Sequence, residues 1–175
     1  DARVGVYWTG EEICTREFSA GHLGRVAEAL GRKPTLWDNY PVNDGPRMSR
    51  FLHLRGFTGR PSAIGPHIAA HAINPALQPH LSLIPAATLA SSYRKGPAYC
   101  YMHAFREAAH ALAGADIAAM LEQDLHALQD RGFDQLGDDR ERLRQRYAAV
   151  DHPMAAEVVR WLDGSDTVDG WVEQA

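Results

Sequence analysis

TLWDNYPVND, residues 35–44, decides how this chain is read. Thr35-Leu36-Trp37 is a short apolar run, and Asp38-Asn39 halts it, which predicts a strand ending in polar side chains. The next stretch, Tyr40 to Pro61, is dense in Pro, Gly, Asn and Asp. It predicts a long excursion with one short turn around Leu52 to Leu54. Loops of such length are more often functional or disordered than idle.

Working outward, RVGVYW (residues 3–8) is a second strand candidate, stopped by Thr9-Gly10. Between the two strands, Ser19 to Leu30 has helical spacing: Leu23, Val26, Ala27 and Leu30 share a face, Ser19 is a suitable N-cap and Gly31 a suitable stop. Downstream, Ser62 to His71 reads as helical and Ala72-Ile73 as a brief strand closed by Asn74-Pro75. Leu81 to Ser91 reads as a helix with Pro85 in or near its first turn. The first half thus alternates strand and helix three times, the grammar of a parallel sheet and an α/β fold.

After Lys95-Gly96 the character changes to an all-α segment. Four Ala-, Leu- and Arg-rich stretches, 97–113, 115–131, 138–150 and 153–163, are divided by Gly114, Gly132 to Gly137, and Pro153. The acidic end, Gly164 to Ala175, is expected to be loosely held except where Trp171 anchors it.

Composition bounds the function. With 45% hydrophobic and 23% charged residues the chain is ordinary globular protein, and no apolar run approaches the roughly 20 residues that cross a bilayer, so no membrane partner is expected. A net charge of −4 lacks the basic footprint of a nucleic-acid binder. Cys14 and Cys100 fit neither a disulfide framework nor a metal-ligand spacing, and both are expected to be small buried thiols. His67 and His71 stand four apart on a helical pattern, and Glu107-x-x-His110 has the form used in di-iron bundles. With one copy of that motif and no acid between the first two histidines, no metal or cofactor is expected. There is no initiator Met and no basic or apolar leader, and Asp1 runs at once into a strand, so the sequence reads as cut from something longer.

Each predicted strand ends in polar residues: Thr9, then Asp38 and Asn39, then Asn74. The steps between them are about one βα unit, roughly 30 residues or more. In a (β/α)8 barrel the strand C-termini build the active site. Spacing alone leaves two readings open: these side chains converge on a ligand, or they are turn residues that end strands.

At VYWTG (6–10), LWDNYPVND (36–44), LHLRGFTGR (52–60) and INP (73–75), in this order and spacing, the chain resembles glycoside hydrolase family 84, the O-GlcNAcases and bacterial hyaluronoglucosaminidases. The resemblance covers about residues 4–93 and implies a β-N-acetylglucosaminidase. It implies the C-terminal strands and helices of a (β/α)8 TIM barrel over residues 1–95, followed by a post-barrel helical region over 96–175. By resemblance, Asp44 matches the aspartate that hydrogen-bonds the distal hydroxyls of an N-acetylglucosamine, and Asn74 is its partner on the next strand. An ionised carboxylate accepts two hydroxyl hydrogens, while an amide both donates and accepts. Trp37 and Thr9 match residues lining the pocket for the 2-acetamido group, and Asn39 matches an asparagine near the reaction centre. Ile13 falls where the family places an apolar residue over the sugar. Other roles remain for several of these: a structural cap for Asp44, a core position for Trp37, burial under the barrel rim for Ile13, and orientation of neighbours for Asp38.

The departures matter as well. Gly45-Pro46 stands where the family usually has an aromatic residue, and Leu54-Arg55-Gly56 replaces Leu-Gly-Pro. The adjacent aspartates that do the family's chemistry are absent and are expected on a strand upstream. In that substrate-assisted, retaining mechanism the acetamido oxygen of the substrate attacks the anomeric carbon, one aspartate polarises it, and the other is general acid and base. Asp138-Asp139 is no substitute: it reads as a helix cap with a solvated face. The implied partners are an N-acetylglucosamine-containing substrate and the remaining barrel strands. A rival reading is a non-catalytic helical interaction module built from residues 97–163, with Arg140 to Arg146 as its docking face.

Overall fold

A computed structural model describes residues 4–169. Three parallel strands, β1 (Tyr7–Trp8), β2 (Thr35–Asp38) and β3 (Ala70–Ile73), lie side by side in chain order. The register sets Trp8 opposite Leu36, and Trp37 opposite Ala72. Because side chains alternate across a strand, Leu36 and Asp38 face one way and Thr35 and Trp37 the other. Leu36 is fully buried while Trp37 is 39% exposed, so one face of the sheet is covered and the other is open.

The covered face is closed by α1 (Ala20–Leu30) and by the first of two cores: Phe18, Leu23, Leu36, Ile64 and Ile68, with Trp8 and Tyr93 packed against them. The ends of α1 follow the sequence. The Ser19 hydroxyl accepts from the His22 amide, and Gly31 closes the helix in the left-handed conformation.

The second core is helical. It gathers α2 (Pro79–Lys95), α3 (Tyr101–Leu125, broken at Gly114), α4 (Asp139–Ala148) and α5 (Pro153–Leu162) around Phe105, Leu121, Leu128, Tyr147, Val158 and Trp161. A π-helical turn, His126–Arg131, follows α3. Leu81 and Ile84 of α2 lie in this core and Tyr93 packs on the first, so α2 joins the two. A buried carboxylate ties α5 to it: Glu157 accepts from the His80 and Leu81 amides at 2.9 and 2.8 Å.

Several expectations are corrected. β1 spans two residues, Val4–Val6 lie outside it, and Arg3 falls outside the described residues. Leu52 to Leu54 is not a turn: the short helical turn is Met48–Arg50, and Leu52 and Leu54 are buried in the helical core. An apolar-polar-apolar triplet is a period-two pattern, and an extended segment buries both leucines on one side. Ser62 to His71 is not one helix. A 3-10 stretch, Ser62–His67, ends as Ile68 turns extended, and His71 belongs to β3. His67 and His71 therefore never share a helix face. In α2, Pro79 holds the first turn, where its missing N–H costs nothing, and Pro85 lies deeper inside. Both cysteines are exposed rather than buried. Cys14 sits in the surface loop after β1, and Cys100 is the residue that precedes α3. Asp138 makes no side-chain cap, while Asp139 pairs with Arg131 and Arg142 at 2.8 and 2.9 Å. Trp171 lies outside the described residues.

Candidate functional site

The open face of the sheet collects the polar residues that end its strands. Asn39 follows β2 and Asn74 follows β3, and the register that pairs Asp38 with Ile73 carries their side chains to the same place. The Asn39 amide is the hub. Its Oδ1 accepts from Trp37 Nε1 at 3.1 Å and from Asn74 Nδ2 at 3.2 Å, and its Nδ2 donates to the Ile13 carbonyl at 2.7 Å. One side chain thus joins the wall, the neighbouring strand and the loop after β1. Among the described residues no hydrogen bond reaches Asn74 Oδ1, which leaves it for a further partner. Trp37 meets Tyr7 edge to face, with ring centroids 5.9 Å apart, which makes an aromatic wall on the open face.

Thr9, half buried, follows β1 on the side that alternation assigns to Tyr7 and Trp37. Asp44 is exposed. Among the described residues no hydrogen bond joins it to Asn74, yet its neighbour Asn43 fixes where it stands. Asn43 is fully buried and donates to Phe51 O and Gln78 Oε1 at 3.0 and 2.9 Å, while its Oδ1 accepts from the Leu77 amide at 2.8 Å. The long loop is thereby stitched to the segment just after Asn74. A short polar residue inside a loop gives no sequence signal for such burial, and Asn43 was not singled out.

Beneath the hub lies a buried ionic chain. Arg60 grips Asp38 with two hydrogen bonds of 2.7 Å, the His71 Nε2 stands 3.0 Å from the same carboxylate, and the His71 Nδ1 stands 2.8 Å from the Tyr93 hydroxyl. Removing one partner of such a buried pair costs on the order of 3–5 kcal/mol. Burial pushes the Asp38 carboxyl up, but the hydrogen bonds and charges of Arg60 and His71 outweigh it and hold the group below its usual value. Because the folded value is depressed, the stability Asp38 contributes is complete above the ordinary carboxylate range and is lost as pH falls below it. Urea midpoints followed downward in pH are expected to fall more steeply for the wild type than for Asp38→Asn; parallel acid limbs would contradict this.

The loop after β1 comes close to the same group of side chains. The Cys14 thiol is pushed up by its partial burial and by the charges of Asp38, Asp44 and Glu12. A cleft of about 460 Å3 opens beside Asn39, lined also by Cys14, Tyr40, His53, Arg55 and Asp130. The His53 Nδ1 lies 3.0 Å from both Pro41 O and Val42 O, and burial lowers the affinity of this ring for a second proton. Because both neighbours of Nδ1 are carbonyl oxygens, which only accept, Nδ1 is the nitrogen that carries a hydrogen. Glu107 pairs with Lys95 at 2.6 Å and with His103 at 3.1 Å, and among the described residues no three His, Cys, Asp or Glu side chains group together to hold a metal ion.

Comparison with known proteins gives this arrangement a lineage. A family model described as beta-N-acetylglucosaminidase matches residues 1–129. The Protein O-GlcNAcase of Rattus norvegicus is 26% identical over 91 residues, which is 52% of this chain and 10% of that protein. The chain thus spans about a tenth of that curated relative. Among solved structures, a mutant of the Thermobaculum terrenum O-GlcNAc hydrolase superposes with a TM-score of 0.71 at 26% identity, over 91% of this chain and 41% of its own. CpGH84B, at 16% identity, shares the fold with a TM-score of 0.63 over 93% of this chain and 34% of its own. With three quarters of its length matched by the family model and its strand ends built as described, this chain belongs to the beta-N-acetylglucosaminidase family of glycoside hydrolases, family 84.

Proposed function

We propose that this chain supplies the sugar-binding part of a retaining, substrate-assisted β-N-acetylglucosaminidase. Residues 1–95 are the C-terminal arc of a (β/α)8 barrel and residues 96–175 a helical region behind it. The observation that carries this reading is the hydrogen-bonded convergence of Trp37, Asn39 and Asn74 on the open sheet face at the strand C-termini. That is where a (β/α)8 barrel builds its active site. In the proposed complex Asp44 and Asn74 hold the distal hydroxyls of the sugar, Trp37 and Thr9 line the acetamido pocket, and Asn39 sits near the reacting centre. The aspartate pair that polarises the acetamido group and shuttles the proton is supplied by polypeptide outside residues 1–175.

Barrel completion follows from edge physics. A three-stranded open sheet leaves two edges, and only closure of the barrel or another chain covers them. Support comes from the groove along β3, about 530 Å3, lined by Ile68, Ala70, Ile73, Leu89 and Tyr93, an apolar seat for a further strand. Residues 1–175 alone are expected not to hydrolyse an aryl N-acetylglucosaminide. Measurable turnover that disappears on mutating Asp44 would overturn this division of labour.

A further inference from the structure

We propose that Arg60 is a positioning residue for sugar hydrolysis: it clamps the loop after β1, residues 10–16, to the end of β2, and so sets the rim of the site beside Asn39. The inference rests on the sugar-site reading above, because the clamped loop has a catalytic consequence only if Asn39 and Asp44 border a bound sugar.

A guanidinium has five N–H donors, and here all five are used. Nε and Nη2 hold the two Asp38 oxygens, each at 2.7 Å. Nη2 also donates to Thr15 O at 2.8 Å, and Nη1 to Arg16 O at 2.5 Å and to Thr58 O at 3.2 Å. The group is buried and lies between the Phe18 and Phe57 rings, 5.0 and 5.8 Å from their centroids. An ion pair alone would have needed only the two bonds to Asp38. The other three go to backbone carbonyls, two of them on the loop after β1 and one on the 58–60 turn.

The surrounding backbone is shaped for that contact. Gly59 has φ +70°, and a Cβ there would stand 2.3 Å from Arg16 O, so the turn and the loop touch main chain to main chain. The Phe18 amide donates to Gly59 O at 2.9 Å. Within the loop, the Thr15 hydroxyl donates to Glu12 O at 2.8 Å and accepts from the Glu12 amide at 3.2 Å. The loop is thus a small closed unit: Arg60 holds residues 15 and 16, Asn39 holds Ile13, and Glu11 Oε1 lies 3.9 Å from His22 Nδ1 on α1. Releasing the Arg60 bonds removes the side-chain hold on the segment immediately after Ile13 and Cys14.

Side chains on this loop face the site. Cys14 feels the charges of both Asp38 and Asp44, and Cys14, Thr15 and Asn39 line one cleft. Cys14 is exposed and is therefore a native reporter of loop position. Lysine at position 60 retains one charge for Asp38 but has no planar fork to reach three carbonyls. It separates the ion pair from the clamp.

The experiment uses the full-length enzyme in a Cys100→Ser background, with alkylation read by mass spectrometry on the peptide that carries Cys14. Arg60→Lys is expected to raise KM for an aryl N-acetylglucosaminide at least tenfold, with kcat changed less than threefold. It should also speed alkylation of Cys14 by iodoacetamide several-fold. A fall in kcat with unchanged KM and unchanged alkylation would overturn the clamp while leaving the sugar site standing. Should the lysine variant fail to fold, the wild type decides: saturating N-acetylglucosamine should slow Cys14 alkylation several-fold, and an unchanged rate at saturation overturns the inference. Absence of any N-acetylglucosamine binding by the wild type would overturn the sugar-site reading and the clamp with it.

Discussion

Asp44→Ala in the full-length enzyme is expected to lower kcat/KM for an aryl N-acetylglucosaminide by roughly 10²–10⁴-fold, mostly through KM. Two hydrogen bonds from sugar hydroxyls to an ionised carboxylate contribute about 1.5–3 kcal/mol each, and each 1.4 kcal/mol is a factor of ten. Contacts to distal hydroxyls are made equally in ground and transition states, so their loss weakens binding more than turnover. Competitive inhibition by N-acetylglucosamine should weaken in parallel. Asp44 is exposed, and the burial that holds its loop belongs to Asn43. The thermal midpoint should therefore move little. That combination separates a sugar ligand from a structural cap: a variant that melts early yet binds N-acetylglucosamine normally would return Asp44 to the scaffold.

The second large effect is on stability. Glu157→Ala is expected to destabilise the protein by about 3–5 kcal/mol, with Glu157→Gln costing about half as much. Glu157 is 1% exposed, and its carboxylate receives the His80 and Leu81 amides together with the His80 ring, whose Nδ1 lies 2.7 Å away. The first amides of a helix have no partner within the helix, and α2 has no capping side chain at Gln78, so a carboxylate from α5 does the work. Alanine leaves the buried Leu81 N–H and the part-buried His80 N–H without their acceptor. Gln78, at the start of α2, also accepts from Asn43, so loosening this helix end should reach the loop that carries Asp44. Urea denaturation measures the first effect and KM the second. A loss below about 1 kcal/mol for Glu157→Ala would mean that water or a neighbour replaces the cap.

Much of the frame was legible in residue order. Ser19 and Gly31 bounded α1 because caps act through neighbours three or four residues away. Thr35-Leu36-Trp37 announced β2, and Gly114 announced the break in α3. The misreadings share a cause. Ser62 to His71 carries enough apolar residues for a helical period, but Ile68 is spaced by burial in the core under the sheet and His71 by its place in β3 itself. Leu52 and Leu54 looked like a turn because the core they enter is assembled from helices that begin at Pro79 and run on to Leu162, out of reach of any local pattern.

The site divides the same way. Asn39 and Asn74 could be placed from sequence because a strand end fixes where its polar residues go, and the register of β2 on β3 then joins them, whereas Trp37 took its role from resemblance to a family. Asp44 could be named only by resemblance to a family, since nothing local distinguishes it from a turn aspartate. Asn43, Arg60 and Glu157 could not be chosen at all. Their hydrogen bonds run between segments 34, 44 and 76 residues apart in sequence, as in Leu77 to Asn43, Arg60 to Arg16 and Leu81 to Glu157. The sequence by itself determined what repeats locally: helix ends, strand alternation and the polar punctuation of each strand. Only the tertiary structure decided which buried donors meet which acceptors, because a polar group taken from water must find a partner wherever the fold happens to bring one.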